Sequence, residues 1–267
     1  MKKYGPSKDR LVNALFIICV LITLVVITYF ADKKASYFTD EIYSFGLSNS
    51  QDKTFINYES AGERWVSKDF FWSYVTVQED QRFDYKAVWR NQASDVHPPL
   101  YYALIHTVCS FFPNVLSKWI GILLNIPFYI MAQVLLFSIS KKYIKGIKAI
   151  CPSFIWGISA VGVSSVIFIR MYVLLTFFML LLSYIFLKIY ENNHLQKRDY
   201  IILLATVAGG VLTQYYFLIF FAILAMSFLA ISIICRDYKI LLRCVCIVIV
   251  SGLLVLLIFP RMIYHIF

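Results

Sequence analysis

Four short polar clusters interrupt an otherwise apolar chain, and each carries side chains able to do chemistry. The first is Asp40-Glu41. A carboxylate in low-dielectric surroundings can take the proton of an acceptor hydroxyl or amine; the plainer reading is a solvated pair in a loop. The second is Asp95-Val96-His97-Pro98-Pro99-Leu100-Tyr101-Tyr102, which joins a titratable ring to a stiff helix start. A purely structural helix start explains it equally well. No second His lies at a ligand spacing from His97, so no metal site is expected, and His106 is expected in the membrane interface.

The third cluster, Arg170-Met171-Tyr172, places a guanidinium within about 40 apolar residues. An ionisable side chain there costs about 2.5–3.5 kcal/mol at the centre of a membrane helix and less near its end. Guanidinium forks suit phosphate oxygens, which makes Arg170 a candidate clamp for a lipid-linked phosphate; the alternative is a turn arginine snorkelling to headgroups. The fourth cluster is Thr213-Gln214-Tyr215-Tyr216. Tyr101, Tyr102, Tyr172, Tyr215 and Tyr216 are suited to line a sugar or isoprenoid site, or simply to pack.

The elements that hold these clusters are apolar. Of 267 residues, 60% are hydrophobic and 15% charged, whereas a soluble domain is about half apolar and a quarter charged. That excludes a soluble globular protein and a disordered tail. A bilayer crossing needs about 20 apolar residues. Leu11–Phe30, Trp119–Ser140, Ile150–Ile169, Met171–Ile189 and Ile240–Phe259 each qualify. The run Tyr200–Cys235 is too long for one helix and is expected to turn near Gln214, while Arg170 marks the turn of a hairpin over Ile150–Ile189. The short run Leu100–Phe112 is expected to form an interfacial or re-entrant helix. Seven crossings result. Leu11–Phe30 is read as an uncleaved helix, since no cleavage site follows it.

Charge orients this arrangement. The net charge is +10. The segments expected in the cytoplasm hold fourteen bases and four acids, and the outer segments hold eleven of each. Basic residues on the inner loops set topology, so the excess reads as an orientation signal, with the N-terminus inside a plasma membrane, rather than a nucleic-acid stripe. All four polar clusters then meet at the outer water–lipid boundary. The hydrophilic segment 31–96 becomes a large first extracytoplasmic loop, with Trp65, Phe70, Phe71, Trp72, Tyr74 and Trp89 suited to interfacial helices. Residues 97–112 form the short helix and 118–259 the remaining spans, within one module over 1–267. The six cysteines lie in or beside apolar runs, and neither a disulfide framework nor a zinc site is expected. The fold class is all-α and polytopic.

The ordered set Thr39-Asp40-Glu41, Asp95-Val96-His97-Pro98-Pro99-Leu100, Arg170-Met171-Tyr172 and Leu212-Thr213-Gln214-Tyr215-Tyr216 resembles the GT-C superfamily of membrane glycosyltransferases. The branch is that of the protein O-mannosyltransferases and the bacterial aminoarabinose transferase, which are glycosyltransferase family 39-like. The resemblance implies a seven-helix core and an inverting transfer on the outer face. The donor would be a polyprenyl-phosphate-linked sugar and the acceptor a lipid, a glycan or a protein, among membrane lipids. It makes Asp40 the catalytic base with Glu41 beside it, and Asp95, His97, Arg170, Tyr172, Gln214 and Tyr215 the substrate-binding set. No cofactor is implied; a divalent metal is compatible with the set but not indicated by it. Two departures stand out. Gln214 occupies a position where many members have a titratable His, and members usually continue into a second outer loop and further helices. The chain is therefore expected to be a minimal module, a truncated product or half of a split protein. The alternative function is a non-catalytic component that scaffolds a partner or binds polyprenyl phosphate. A transporter would need charges lining an intramembrane path, and Arg170 alone does not supply one.

Overall fold

The computed structural model describes residues 6–51, 65–192, 196–234 and 238–266, and every regular element among them is helical. Part of the hydrophilic segment (52–64) lies outside the described residues, as do Lys2, Lys3, Cys235, Arg236 and Asp237. The first span, α1, is Pro6–Lys33. Four short helices follow: α2 (Thr39–Asn49), α3 (Lys68–Val75), α4 (Tyr85–Ala93) and α5 (Leu100–Phe111). Then come α6 (Lys118–Tyr143), α7 (Cys151–Ile158), α8 (Ala160–Ile167) and α9 (Tyr172–Asn192). The chain continues with α10 (Lys197–Thr213), α11 (Tyr216–Ile234), α12 (Tyr238–Ile258) and the short α13 (Met262–Ile266).

The protein is an all-α, multi-pass membrane protein. Helices α1, α6, α9, α11 and α12 are long and apolar enough to cross a bilayer, and α7 with α8 makes a sixth candidate. The 17 residues of α10 begin with Lys197, Arg198 and Asp199, which leaves a short apolar stretch. The expected turn near Gln214 is present: Gln214 caps α10 and α11 starts at Tyr216.

The stretch Ile150–Ile169, expected as one straight span, is broken. A 3-10 turn (Gly146–Ile150) leads into α7, and α7 meets α8 at 53°. The chemistry of the break is local. Ser159 Oγ accepts from the Gly162 N–H at 3.0 Å and caps α8. A Cβ on Gly162 would sit 2.0 Å from the Trp156 carbonyl oxygen, so only glycine tolerates this approach. Two carbonyls of the broken pair are satisfied from α6: Gly157 by the Tyr129 hydroxyl at 2.7 Å, and Val166 by the Asn125 amide at 3.0 Å. Irregular backbone is tolerated at membrane depth when neighbouring side chains take its hydrogen bonds.

Polar contacts divide the molecule into two ends. At one end Lys141 donates to Asn13, Lys188 pairs with Asp199 at 2.6 Å and Lys142 pairs with Glu191. At the other, Lys118 Nζ donates to the carbonyls of Asp32 (2.9 Å) and Lys34 (2.8 Å). That ammonium satisfies carbonyls at and just past the end of α1. The four polar clusters share this second end. Three apolar clusters fill the space between, the smallest packing Phe16 of α1 on Phe137 of α6. Two of them position the site. One joins α1, α2 and α5 to α6 through Ile27, Phe45, Tyr101, Ile122 and Ile169; the other joins α9 to the C-terminal spans through Leu182, Leu203, Phe217 and Val255.

The short helices α2 to α5 are packed more deeply than a headgroup-facing layer. Tyr74, expected among interfacial aromatics, is fully buried, and its ring lies against Gly46, where a Cβ would come within 2.0 Å. His106, expected in the interface, is 1% exposed between α2 and α4. Helix α5 is about 18 Å long at 12 residues, too short to cross. One face of it, with Tyr101, Tyr102, Ile105 and Cys109, packs on protein.

Candidate active site

Arg170 lies between the end of α8 and the start of α9 and is 5% exposed. It does not snorkel. Its Nη1 has three neutral acceptors, the Asp40 carbonyl (3.4 Å), Ser44 Oγ (3.4 Å) and Tyr102 Oη (3.3 Å). Its Nη2 lies 3.1 Å from His97 Nε2. Its Nε is buried with no hydrogen-bond partner among the described residues. No ion pair among those residues includes Arg170. A buried cation held only by neutral groups is costly and leaves donor capacity for an anion.

His97 has a defined tautomer. A guanidinium has no lone pair to offer, so His97 Nε2 is the acceptor. The proton is on Nδ1, which donates to Asp95 Oδ2 at 2.8 Å. Burial alone would raise the Asp95 carboxyl, but the His97 hydrogen bond, helped by the Val96 backbone and the Arg170 charge, outweighs it and holds Asp95 below its ordinary range. Asp95 therefore reaches Arg170 through an imidazole. Pro98 and Pro99 are buried and fix the path from this loop into α5, which then presents Tyr102. Burial keeps the Tyr102 phenol protonated well past the usual range.

Asp40 and Glu41 separate into two roles. Glu41 is fully buried. Its Oε2 accepts from Lys34 Nζ (2.8 Å) and from the Phe38 N–H (2.7 Å), and its Oε1 accepts from the Ile169 N–H (2.8 Å). A carboxylate so engaged caps α2 and anchors the residue before Arg170; it has no face left for a substrate. The half-buried Asp40 carboxylate has no hydrogen bond or ion pair among the described residues, although its backbone carbonyl touches Arg170. Of the two acids, Asp40 is the one free to react.

The remaining expected residues lie further out. Tyr172 is 39% exposed and stacks on Phe168 at 6.1 Å, and Phe168 meets Phe38 edge-on at 5.8 Å. Gln214 is buried, and its Oε1 accepts from the Tyr215 N–H, so it serves the turn. Tyr215 Oη lies 3.0 Å from His265 Nδ1. Burial raises the Tyr215 phenol and the charge of Asp95 adds to the rise, which places the α10–α11 turn within electrostatic range of the Asp95–His97 pair. Direct hydrogen bonds thus join Asp95, His97, Arg170 and the Asp40 backbone; Tyr172, Gln214 and Tyr215 form a rim.

Three contributors escaped the sequence reading. Ser44 sits one helical turn after Asp40 in α2, a spacing that faces it the same way. Lys34 is the partner of Glu41. His265 joins the rim through α13 and carries no motif. A groove of about 640 Å³ adjoins the site, lined by apolar residues of α1, α7 and α8, by Phe168, and by Lys33 and Lys34. No group of three or more metal-ligating side chains occurs among the described residues. Comparison with models of protein families, with curated proteins and with solved structures gave no match in any of the three.

Proposed function

We propose that the chain is a membrane glycosyltransferase of GT-C type that moves a sugar from a polyprenyl-phosphate donor to an acceptor on the outer face. One observation carries the reading: the Arg170 guanidinium, buried and in no ion pair among the described residues, bonds the backbone carbonyl of Asp40, whose own carboxylate has no hydrogen bond or ion pair among them. The guanidinium suits a phosphate that gathers charge as it leaves. The carboxylate suits a general base. In the proposed step the acceptor oxygen attacks the anomeric carbon and Asp40 takes its proton. The sugar–phosphate bond breaks with inversion, and polyprenyl phosphate departs against Arg170. The apolar groove with two lysines at its edge is the right kind of surface for an isoprenoid chain beside its phosphate.

The same reading sets the N-terminus in the cytoplasm of a plasma membrane and counts α10 as a seventh crossing. It is supported by the concentration of lysines at the end opposite Arg170. The test is transfer of radiolabelled sugar in proteoliposomes from a panel of polyprenyl-phosphate donors, with Asp40→Asn as control. Transfer by the wild type and none by the variant is the expected result. Undiminished transfer by a folded Asp40→Asn protein would remove Asp40 from the reaction. A component that binds polyprenyl phosphate without transfer would instead bind donor equally in both proteins and turn over neither.

A further inference from the structure

The Arg170–His97 contact has a property that the donor reading does not use. His97 Nε2 is the nearest acceptor to the guanidinium, at 3.1 Å, against 3.3 and 3.4 Å for the groups that share Nη1. A protonated imidazole has no lone pair. Protonation would turn Nε2 into a donor facing another donor, and the contact would become a repulsion between two cations. An anionic oxygen inserted between them would accept from both. It would also supply the negative charge that Arg170 lacks and an acceptor within reach of the buried, unpartnered Nε.

We infer that Arg170 and His97 form a proton-coupled anion site, in which a phosphodiester oxygen enters between the two side chains as His97 takes up one proton. The inference rests on the donor reading for its ligand class, since a polyprenyl-phosphate sugar is a phosphodiester. The groups facing His97 set the balance. Asp95, in its own loop, is bonded to Nδ1 and favours the imidazolium. Asp40, at the start of α2, adds negative charge nearby and shares the guanidinium through its carbonyl. Tyr102 of α5, its ring 6.3 Å from the imidazole, stays neutral. Tyr215, with His265 of α13, stands on the far side within range of Asp95. Among the described residues Arg170 opposes protonation, together with the partial burial of the ring, and a bound anion offsets the guanidinium's part. Asp95 then holds the charged ring in place.

The experiment is calorimetric titration of the full chain in lipid nanodiscs with a short-chain prenyl methyl phosphodiester. The single charge of that probe does not titrate across about pH 6 to 9, so any proton taken up belongs to the protein. Repeating it in buffers of different ionisation enthalpy counts the protons. The expected result is uptake of about one proton per probe, with affinity rising up to about tenfold per pH unit as pH falls through the range in which that proton is taken up. His97→Gln should bind without proton uptake and without that pH dependence. Binding by the wild type with no proton uptake, or undiminished uptake by His97→Gln, overturns the inference and leaves the donor reading standing. No binding at any pH overturns both. If His97→Gln does not fold, nitrogen NMR of the wild-type imidazole decides: Nδ1–H tautomer without probe and imidazolium with it is expected, and a neutral ring in the bound state refutes the inference.

Discussion

Glu41 and Ile169 are joined by a 2.8 Å hydrogen bond from the Ile169 N–H to Oε1, across 128 positions of sequence. The next residue is Arg170, so the anchor of the candidate phosphate clamp is a carboxylate whose two oxygens are already taken by Lys34 and by backbone N–H groups. Removing one partner of a buried charged pair costs about 3–5 kcal/mol. Glu41→Ala is therefore expected to lower the thermal unfolding midpoint sharply, and Glu41→Gln less so, because its carbonyl oxygen keeps one of the backbone bonds. A Glu41→Ala protein as stable as the wild type would show that the clamp is dispensable.

The same backbone is held from behind. A Cβ added at Gly121 in α6 would lie 2.2 Å from the Ile169 side chain. Overpacking of this kind costs about 1–3 kcal/mol and would push Ile169, and Arg170 with it, towards α2. Gly121→Ala should lose both stability and sugar transfer. Gly252→Ala is the control: nothing lies within 4 Å of its added Cβ, and alanine favours the helix. It should unfold no earlier than the wild type.

Five of the expected spans were legible because length and apolarity alone define them, and the turn at Gln214 because no single helix fits so long a run. The ends of the clusters were legible too, since a charged residue such as Arg170 in an apolar run must be explained. The residues by themselves did not rank Asp40 against Glu41; only the resemblance made Asp40 the base. The distinction depends on Lys34 and on an N–H 128 positions away, and neither is visible in a dipeptide. The break at Ser159 was hidden for a related reason: Ser and Gly in an apolar run are compatible with a straight span, and the kink needs Tyr129 and Asn125 of α6 to satisfy the backbone. Tyr74 and His106 were misplaced because an aromatic or a lone His reads as interfacial until a helix is seen to cover it.

His106 gives a pH test. Burial holds its imidazole below the ordinary value of 6.5, its Nδ1 lies 3.4 Å from Asn49 Oδ1, and its Nε2 has no partner among the described residues. Between the folded and ordinary values the unfolded chain binds a proton that the folded chain does not. This contribution is complete above pH 6.5 and is lost as pH falls towards the folded value. Thermal unfolding in detergent should show less acid destabilisation in His106→Gln than in the wild type when each is compared with its own midpoint at neutral pH. Parallel losses in the two proteins would contradict this.

Trp89 offers a further check. Its Nε1–H donates to the Ile258 carbonyl at 2.9 Å, tying α4 to the end of α12. A neutral hydrogen bond contributes about 0.5–1.5 kcal/mol. Trp89→Phe keeps most of the ring and loses the bond, so amide exchange in α13 should quicken while exchange in α6 stays unchanged. Equal protection of α13 in both proteins would argue that the bond does not fasten it.

The 128-residue separation of Glu41 and Ile169 also sets a schedule. At about 5–20 residues per second of synthesis, Ile169 is joined to the chain roughly 6 to 25 s after Glu41. For that interval Lys34 is the one ion-pair partner of the young carboxylate among the described residues, and it is already present seven residues upstream. The local ion pair can keep Glu41 satisfied while the later spans are made, then yield one oxygen when residue 169 arrives. Arg170 is positioned only at that moment, so the first 168 residues are made before the site can be finished.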